Sequence, residues 1–537
     1  MRAVRGSLTD RLASAARRSG AGRRALALRD ELRRRKAPVH WTNLFGVVAL
    51  ACVIVLFVTG FVLMFFYAPS STQVTYRGSY LPLQGATMSK ALESTVNVSF
   101  DVRGGLLLRQ AHHWAALLLP AAIMLQLLVM FFTGAFRRPR RFSWVLLFGI
   151  LIIALLGGWS GYALPDDMLS GTGLRIVEGI VLAIPVVGTW LSTLLFGGQF
   201  PGDIIEHLYP VHVALVPVLL IVLLALRART SYLNKPAQFA GEGRTERVIV
   251  GLPLWPNHAA RSAGTLAVVT AALVMLSAVV TIDPVWLYGP SSPGNASAGS
   301  QPDWYTGFLD GALRLVPPGW EFVWLGHTWS LAILVPLFVV GAFLVGVLGY
   351  PFFEEWVTGD SSEHHLLVRP RYAATRTAIG VASIVFFGAL WGAASADLVA
   401  THFRLAVESV VAFYQVAVVV GPPVAFFIAR RVCLGLQKRD QGILLHGYET
   451  GRIVRMPGGE YVEGHRRVDD HARRRLRTPA VQQPYLARPD ERGRLHASDR
   501  ARAAISRFFF EDQAVPEEED VTGSSPSAIP PRTDVPR

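Results

Sequence analysis

Eight apolar runs dominate this sequence, and each is long enough to cross a bilayer, for which about 20 residues suffice as a helix. They lie near 43–67, 106–134, 143–164, 206–227, 263–282, 328–350, 377–398 and 408–430. A soluble chain of 537 residues would divide into several modules. Here the hydrophobic residues, 51% of the chain, are gathered into the eight runs instead. Helices satisfy their own backbone groups in hydrocarbon, so the expectation is an all-α integral membrane protein with eight transmembrane helices. A ninth apolar stretch, 174–196, is interrupted by Arg175, Glu178, Gly179, Pro185 and Gly188. It reads as interfacial helices rather than a span.

Charge sets the orientation. With the N-terminus inside, 25 Lys and Arg fall in inner segments before the C-terminal tail and 6 in outer loops. Basic residues favour the cytoplasmic side, so a multi-pass cell-membrane protein with both termini cytoplasmic is expected. The net charge of +14 then reflects topology and contact with an anionic lipid bilayer, with no nucleic acid as partner. Residues 1–40 are basic and lack a short apolar core with a cleavage site, so they read as a cytoplasmic segment and not a cleaved signal. Cys52 lies in the first span and Cys433 after the last. Two such cysteines exclude a disulfide framework, a Cys-x-x-Cys metal site, an iron–sulfur cluster and a c-type heme on this chain.

The chain divides into a basic segment (1–40), a four-span unit (41–230), an inner linker (231–262) and four further spans (263–430). A cytoplasmic tail (431–537) follows. The outer loop 283–327 is long, and its aromatic residues point to an ordered loop. The tail ends beyond the acidic Glu517–Asp520 in Ser and Pro and is expected to be disordered there.

A histidine inside a span is costly unless it faces the protein interior. His112 and His212 each start a span that runs inward, so they sit at similar depth on the outer side. On placement alone two readings stand: imidazoles clamping one heme iron from opposite faces, or interfacial histidines bonded to backbone. His113 points about 100° away from His112 on a helix and reads as structural. Gly60 and Gly161, near the outer ends of spans one and three, would let a flat macrocycle approach, or simply allow close helix packing. Arg109, one turn before His112, suits a heme propionate or a snorkelling charge.

Several motifs together resemble the cytochrome b subunit of respiratory cytochrome bc complexes in its actinobacterial form. They are Arg109-Gln-Ala-His112-His113-Trp114, Phe131-Phe-Thr-Gly-Ala-Phe-Arg-Arg-Pro139, Gly161-Tyr-Ala-Leu-Pro-Asp-Asp167 and Gln301-Pro-Asp-Trp-Tyr305. The resemblance covers about 38–465, including the span order and the long outer loop.

The resemblance implies a four-helix bundle in which spans two and four each carry two histidines, clamping two stacked b hemes. In the family the second histidine follows 14 residues after the first on span two, a rise of about 21 Å that returns to nearly the same helix face. It follows 15 after the first on span four. In this chain those positions hold Gln126 and Arg227. The family glycine 14 residues before Gly161 is Leu147, and the arginine expected near an inner propionate is Val129, although Gly46 is retained. The outer set (Gly60, Arg109, His112, Gly161, His212) is complete. The resemblance therefore implies an outer heme b and an inner heme lost or strongly altered, with Met124 and Met130 as the remaining inner candidates for a ligand.

Pro302-Asp303-Trp304-Tyr305 resembles the family's Pro-Glu-Trp-Tyr, which lines the outer quinol pocket. By the resemblance Asp303 accepts a proton and Tyr162 and Tyr305 bracket the quinol ring; without it, Asp303 is a solvated turn residue. Asp166, Asp167, Asp310 and Glu321 are weaker candidates for proton exit. His364–His365 lacks a third ligand at metal spacing. The implied function is that of a menaquinol–cytochrome c reductase subunit, in a homodimeric complex with a Rieske-type iron–sulfur subunit and a cytochrome c subunit. One electron from quinol would pass to the iron–sulfur protein and one to the outer heme. The alternative is a diverged single-heme or non-catalytic paralogue acting as scaffold, assembly or quinone-binding subunit. An unrelated eight-span transporter matches the topology but not the motifs.

Overall fold

The computed structural model describes residues 19–198, 200, 202–292, 294, 301, 303–476, 484–487, 494 and 496–510. Pro302 and the acidic end of the tail lie outside the described residues. Eight described helices are long and apolar enough to cross a membrane. They are Trp41–Leu63, Gly105–Thr133, Arg141–Ala163, Ile204–Leu233, Leu254–Val279, Leu331–Thr358, Ala374–Ala394 and Val407–His446, the first to eighth spans.

The first and second spans pack together, as do the third and fourth, with the second against the third. Between them runs a core that includes Cys52, Val55, Ala115, Leu119, Ile123, Leu127, Trp144, Leu147, Leu151, Val216 and Leu220. The fifth span covers the first and second from outside. The seventh and eighth pair closely, and the helix Gly307–Leu315 rests on the seventh. The second span is bounded by Gly104 and Gly134, both left-handed at φ 77° and 69°, a backbone state in which glycine carries no steric penalty.

The fourth span is not uniform. Within it Val216 N–H reaches back five residues to Val211 O, and Pro217 has no N–H to offer the next carbonyl. The result is a π turn over Val211–Leu215, centred near His212. Single π turns often mark functional positions in helices.

The interrupted stretch 174–196 forms two helices, Met168–Leu182 and Gly188–Phe196, joined by a break at Pro185. On the same side, Gln73–Thr75 pairs antiparallel with Thr87–Ser89, followed by the helix Lys90–Phe100. The long loop is ordered over its described part. It holds a helical turn at Val285–Tyr288, the helix Gly307–Leu315, and a hairpin of Glu321–Trp324 with His327–Ser330.

The eighth span continues well past the expected boundary near 430, to His446. Its polar extension is held by Asp440, which accepts from Arg371 at 3.0 and 3.1 Å and from the Tyr372 hydroxyl at 2.7 Å. A hairpin (Tyr448–Arg455 with Tyr461–Arg466) follows. The helix Ala497–Phe510 returns to the sixth span, where Arg502 Nε donates to Trp356 O.

One ion pair is enclosed among the spans. Glu354 of the sixth and Arg376 of the seventh meet at 3.0 Å with side chains only 8% and 5% exposed. Breaking such a pair leaves an uncompensated buried charge and costs ~3–5 kcal/mol, whereas replacing both partners with apolar residues is often near neutral. Glu354→Leu should therefore lower the melting temperature of the detergent-solubilised protein sharply, and Glu354→Leu/Arg376→Leu should regain more than half of the loss. Equal loss in single and double variants would show that the pair is not coupled.

Candidate functional site

His112 and His212 face each other across the bundle, with ring centroids 6.0 Å apart and planes at 64°. Each Nδ1 meets a hydroxyl from the neighbouring span. His112 Nδ1 lies 2.9 Å from Thr59 Oγ1, and His212 Nδ1 lies 3.2 Å from Ser160 Oγ. Thr59 Oγ1 donates its own proton to Val55 O at 2.6 Å, and Ser160 Oγ donates to Gly157 O at 3.2 Å. Each hydroxyl is thus left to accept from the imidazole, which places the ring proton on Nδ1. Both Nε2 atoms then keep their lone pairs, the form that ligates metal, with the hydroxyls as orienting partners. With metal–imidazole bonds of ~2 Å, the ring separation leaves room for one metal ion between them.

The glycines lie where a side chain would collide. A Cβ on Gly60 would sit 3.0 Å from His112 Cε1, and one on Gly161 would sit 2.5 Å from His212 Cε1. In both places a hydroxyl residue directly precedes the glycine, Thr59-Gly60 on the first span and Ser160-Gly161 on the third. The pairs are related in sequence as they are in space: the hydroxyl orients the imidazole and the glycine clears space beside it.

A cavity of about 400 Å³ opens between these residues, within the ~300–1,000 Å³ usual for cofactor and ligand sites. His112, His212, Gly60, Gly161, Arg109, Tyr162, Asp283 and Asp303 are among the residues that line it. Arg109 Nη2 donates to Asp283 O at 2.9 Å, while its Nε is buried with no partner. An apolar cavity flanked by two facing imidazoles, two glycines and a half-satisfied arginine fits a flat, carboxylate-bearing heme.

The loop carrying Asp303 is fastened to the bundle. Trp304 Nε1 donates to Leu117 O at 3.2 Å, Trp391 Nε1 to Trp304 O at 3.0 Å, and Gln301 Nε2 to Asp397 Oδ1 at 3.0 Å. Asp303 is no solvated turn residue. His113 Nε2 lies 3.1 Å from its Oδ1, and the Tyr305 hydroxyl donates to its Oδ2 at 2.8 Å. Burial, and then the charge of Asp303, push the Tyr305 phenol well above its usual range. Tyr162 stands on the cavity wall. Tyr305 is only 2% exposed and packs against Gly158, where a Cβ would be 2.5 Å from its hydroxyl. The two tyrosines therefore do not face each other across the open space.

His113, read from sequence as structural, is brought to Asp303 by the fold. Asp283, Thr59 and Ser160 were not singled out by sequence at all. The Thr/Ser-Gly repeat on spans one and three was the available signal for the hydroxyls. Asp283 had none, because its place depends on Gln110, whose side-chain amide clasps both backbone groups of Ile282 at 2.8 and 2.9 Å.

The other acidic candidates fall in different places. Asp167 caps the helix Met168–Leu182, accepting from Leu169 N at 3.1 Å and Ser170 Oγ at 2.6 Å. Burial, and then the charge of Asp283, raise its carboxyl to about 7. Burial also raises Asp166, to about 6. Asp310 pairs with Arg314 at 3.1 Å, and Glu321 is exposed on the hairpin. His364 Nε2 meets Asp360 Oδ2 at 2.8 Å.

The inner positions are differently occupied. Leu147 is 4% exposed within the apolar core. A Cβ on Gly46 would meet the Gln126 amide oxygen at 3.8 Å, so the amide takes the space beside this glycine. Arg227 Nη1 donates to Ser143 O at 3.1 Å and Oγ at 3.2 Å. Val129 is partly buried, and its carbonyl accepts from Thr133 Oγ1 at 2.6 Å. None of the four lines the cavity.

Residues 117–290 match the family described as cytochrome b(N-terminal)/b6/petB. The chain is 43% identical over 483 residues to the cytochrome bc1 complex cytochrome b subunit of Streptomyces coelicolor, covering 89% of this chain and 88% of that protein. It is 44% identical over 450 residues to the subunit of the same name from Mycobacterium tuberculosis, covering 83% and 81%. Against that from Corynebacterium diphtheriae the identity is 42%, over 84% and 83%. A solved structure titled hyperthermophilic respiratory Complex III shares the fold at TM-score 0.57 and 17% identity, covering 79% of this chain and all of that one.

Proposed function

The chain belongs to the cytochrome b family of bc1-type respiratory complexes, and from that premise we propose that it oxidises menaquinol at its outer cavity while holding a single b heme. It does so as the membrane subunit of a quinol–cytochrome c reductase. Heme b, when bound between His112 and His212, supplies a one-electron acceptor within the membrane. The observation that carries the reading is the facing imidazole pair, each oriented by its own hydroxyl beside its own glycine. Arg109 is placed to meet a propionate through its unpartnered Nε. Quinol enters the cavity where Tyr162 and Asp303 stand, and Asp303 accepts a proton from a quinol hydroxyl. His113 and Tyr305 hold that carboxylate in place.

The residues at the inner positions do not fit a second heme. Gln126 and Arg227 are not heme ligands of the usual kind, Leu147 fills the place of a glycine, and Arg227 is engaged with Ser143. Without an inner carrier, electron recycling across the membrane is not supported by this chain alone. The electron not taken by a Rieske-type partner leaves by another acceptor. A cytochrome c subunit, a homodimeric assembly and cytoplasmic termini complete the reading.

His212→Ala should abolish the heme b absorbance of the purified protein, and Gly161→Val should do the same by driving a side chain into the His212 ring. Retention of a full spectrum in either variant would refute the ligand assignment. Asp303→Asn should lower menaquinol-analogue turnover by ~100-fold, the usual weight of a general base, with the heme spectrum intact. Unchanged turnover would remove Asp303 from the proton path.

A further inference from the structure

Asp283 is a largely enclosed carboxylate that lines the cavity. Its side chain is 10% exposed, and its Oδ1 has no hydrogen-bond partner. Its Oδ2 lies 3.9 Å from His113 Nδ1, beyond hydrogen-bond reach. Arg109 approaches only the backbone carbonyl, not the carboxylate. The residue also holds φ at +45°, uncommon for any residue but glycine. Buried polar groups are nearly always satisfied, so an orphaned carboxylate oxygen at a cavity wall calls for a functional account.

Its surroundings form a line of acids. His113 sits between Asp303 and Asp283, with Nε2 toward the first and Nδ1 toward the second. The helical turn Val285–Tyr288, two residues after Asp283, packs against the helix capped by Asp167, and Asp167 pairs with Pro290 in an isolated bridge. The charged and titratable groups facing Asp283 are Arg109 and His113 from the second span, Tyr162 from the third, Asp167, Tyr288 and Asp303.

We propose that Asp283 is a second proton acceptor of the outer cavity, taking a proton from a quinol hydroxyl and passing it toward Asp167. The proposal rests on the quinol-oxidising reading above. Quinol oxidation releases two protons, and Asp303 alone accounts for one. The quinol O–H bond breaks, its proton forms a new O–H bond on the Asp283 carboxylate, and the electron pair stays on the quinol oxygen. The two electrons lost as quinol becomes quinone would leave singly, one to the iron–sulfur partner and one to the heme that His112 and His212 would hold. The proton then passes to Asp167 and the outer surface. Burial raises the Asp283 carboxyl above its ordinary range, against the opposing pull of His113 and Arg109, and two neighbouring buried acids share protons more readily than they both ionise.

An acceptor must be ionised before it takes a proton. As pH falls through the raised pKa of Asp283, its acceptor form is lost and quinol oxidation slows. Asp283→Asn is well suited to test this, because asparagine tolerates positive φ and keeps the backbone. In the complex purified with its partner subunits, turnover with a menaquinol analogue is measured across the acid-to-alkaline range. Asp283→Asn should lower turnover by ~10-fold or more and remove the acid limb that Asp283 sets. The protonated-carboxyl infrared band of the wild-type protein should titrate above the ordinary carboxyl range and lose that component in Asp283→Asn, a readout independent of turnover. Wild-type rates at every pH in Asp283→Asn, or an infrared carboxyl band unchanged in that variant, would overturn the assignment of Asp283 alone. A wild-type complex that oxidises no quinol would overturn the underlying reading, and this proposal with it.

Discussion

A neutral imidazole held in hydrocarbon needs a partner on each nitrogen, because no water is there to supply one, and the outer half of the bundle is arranged around that demand. Thr59 and Ser160 meet the Nδ1 atoms of His112 and His212. With Nδ1 occupied in this way, each Nε2 keeps its lone pair, and the ring centroids lie 6.0 Å apart. Gly60 and Gly161 keep the space beside the rings open, since a Cβ on either would press on the ring. The π turn at Val211–Leu215 sets His212 within its helix. Four spans thus converge on one small volume, each contributing either a ring or the hydroxyl–glycine pair that seats it.

The inner half of the same bundle is differently occupied. Where the outer half carries imidazoles and a glycine, the inner positions carry Gln126, Arg227 and Leu147. Leu147 joins Leu127, Trp144 and Leu151 in a continuous apolar core, and the Gln126 amide sits against Gly46. Arg227 donates its hydrogen bonds to Ser143 near the start of the third span. A long cationic side chain can lie along apolar surface with its head near the interface. The polar chemistry of the bundle is therefore sorted by depth, with ring and carboxylate groups gathered on one side of the apolar core.

The spans were legible because apolar runs of bilayer length leave little choice of structure, and Pro185 breaks the stretch 174–196 into two helices. His112 and His212 were legible from placement, and the glycines from their matching depth. What the sequence left obscure depends on contacts between distant segments. Asp283 is held at the cavity by Gln110, which binds the backbone of Ile282, and by Arg109, which donates to the Asp283 carbonyl. His113 meets Asp303 across 190 residues of chain. Tyr305 was placed on the cavity wall by analogy with its motif, yet it fills the notch at Gly158 and supports Asp303 from behind. The eighth span outran its apolar stretch because Asp440 finds Arg371 and Tyr372, an attraction that hydropathy does not record.

The proposed single heme requires that only the pocket at His112 and His212 binds one. The most direct measurement is a potentiometric redox titration of the purified full-length chain, followed in the heme b absorbance bands, with heme quantified per polypeptide. One heme per chain, titrating as a single component, is the predicted result. Two hemes per chain, or two components of different potential, would contradict it.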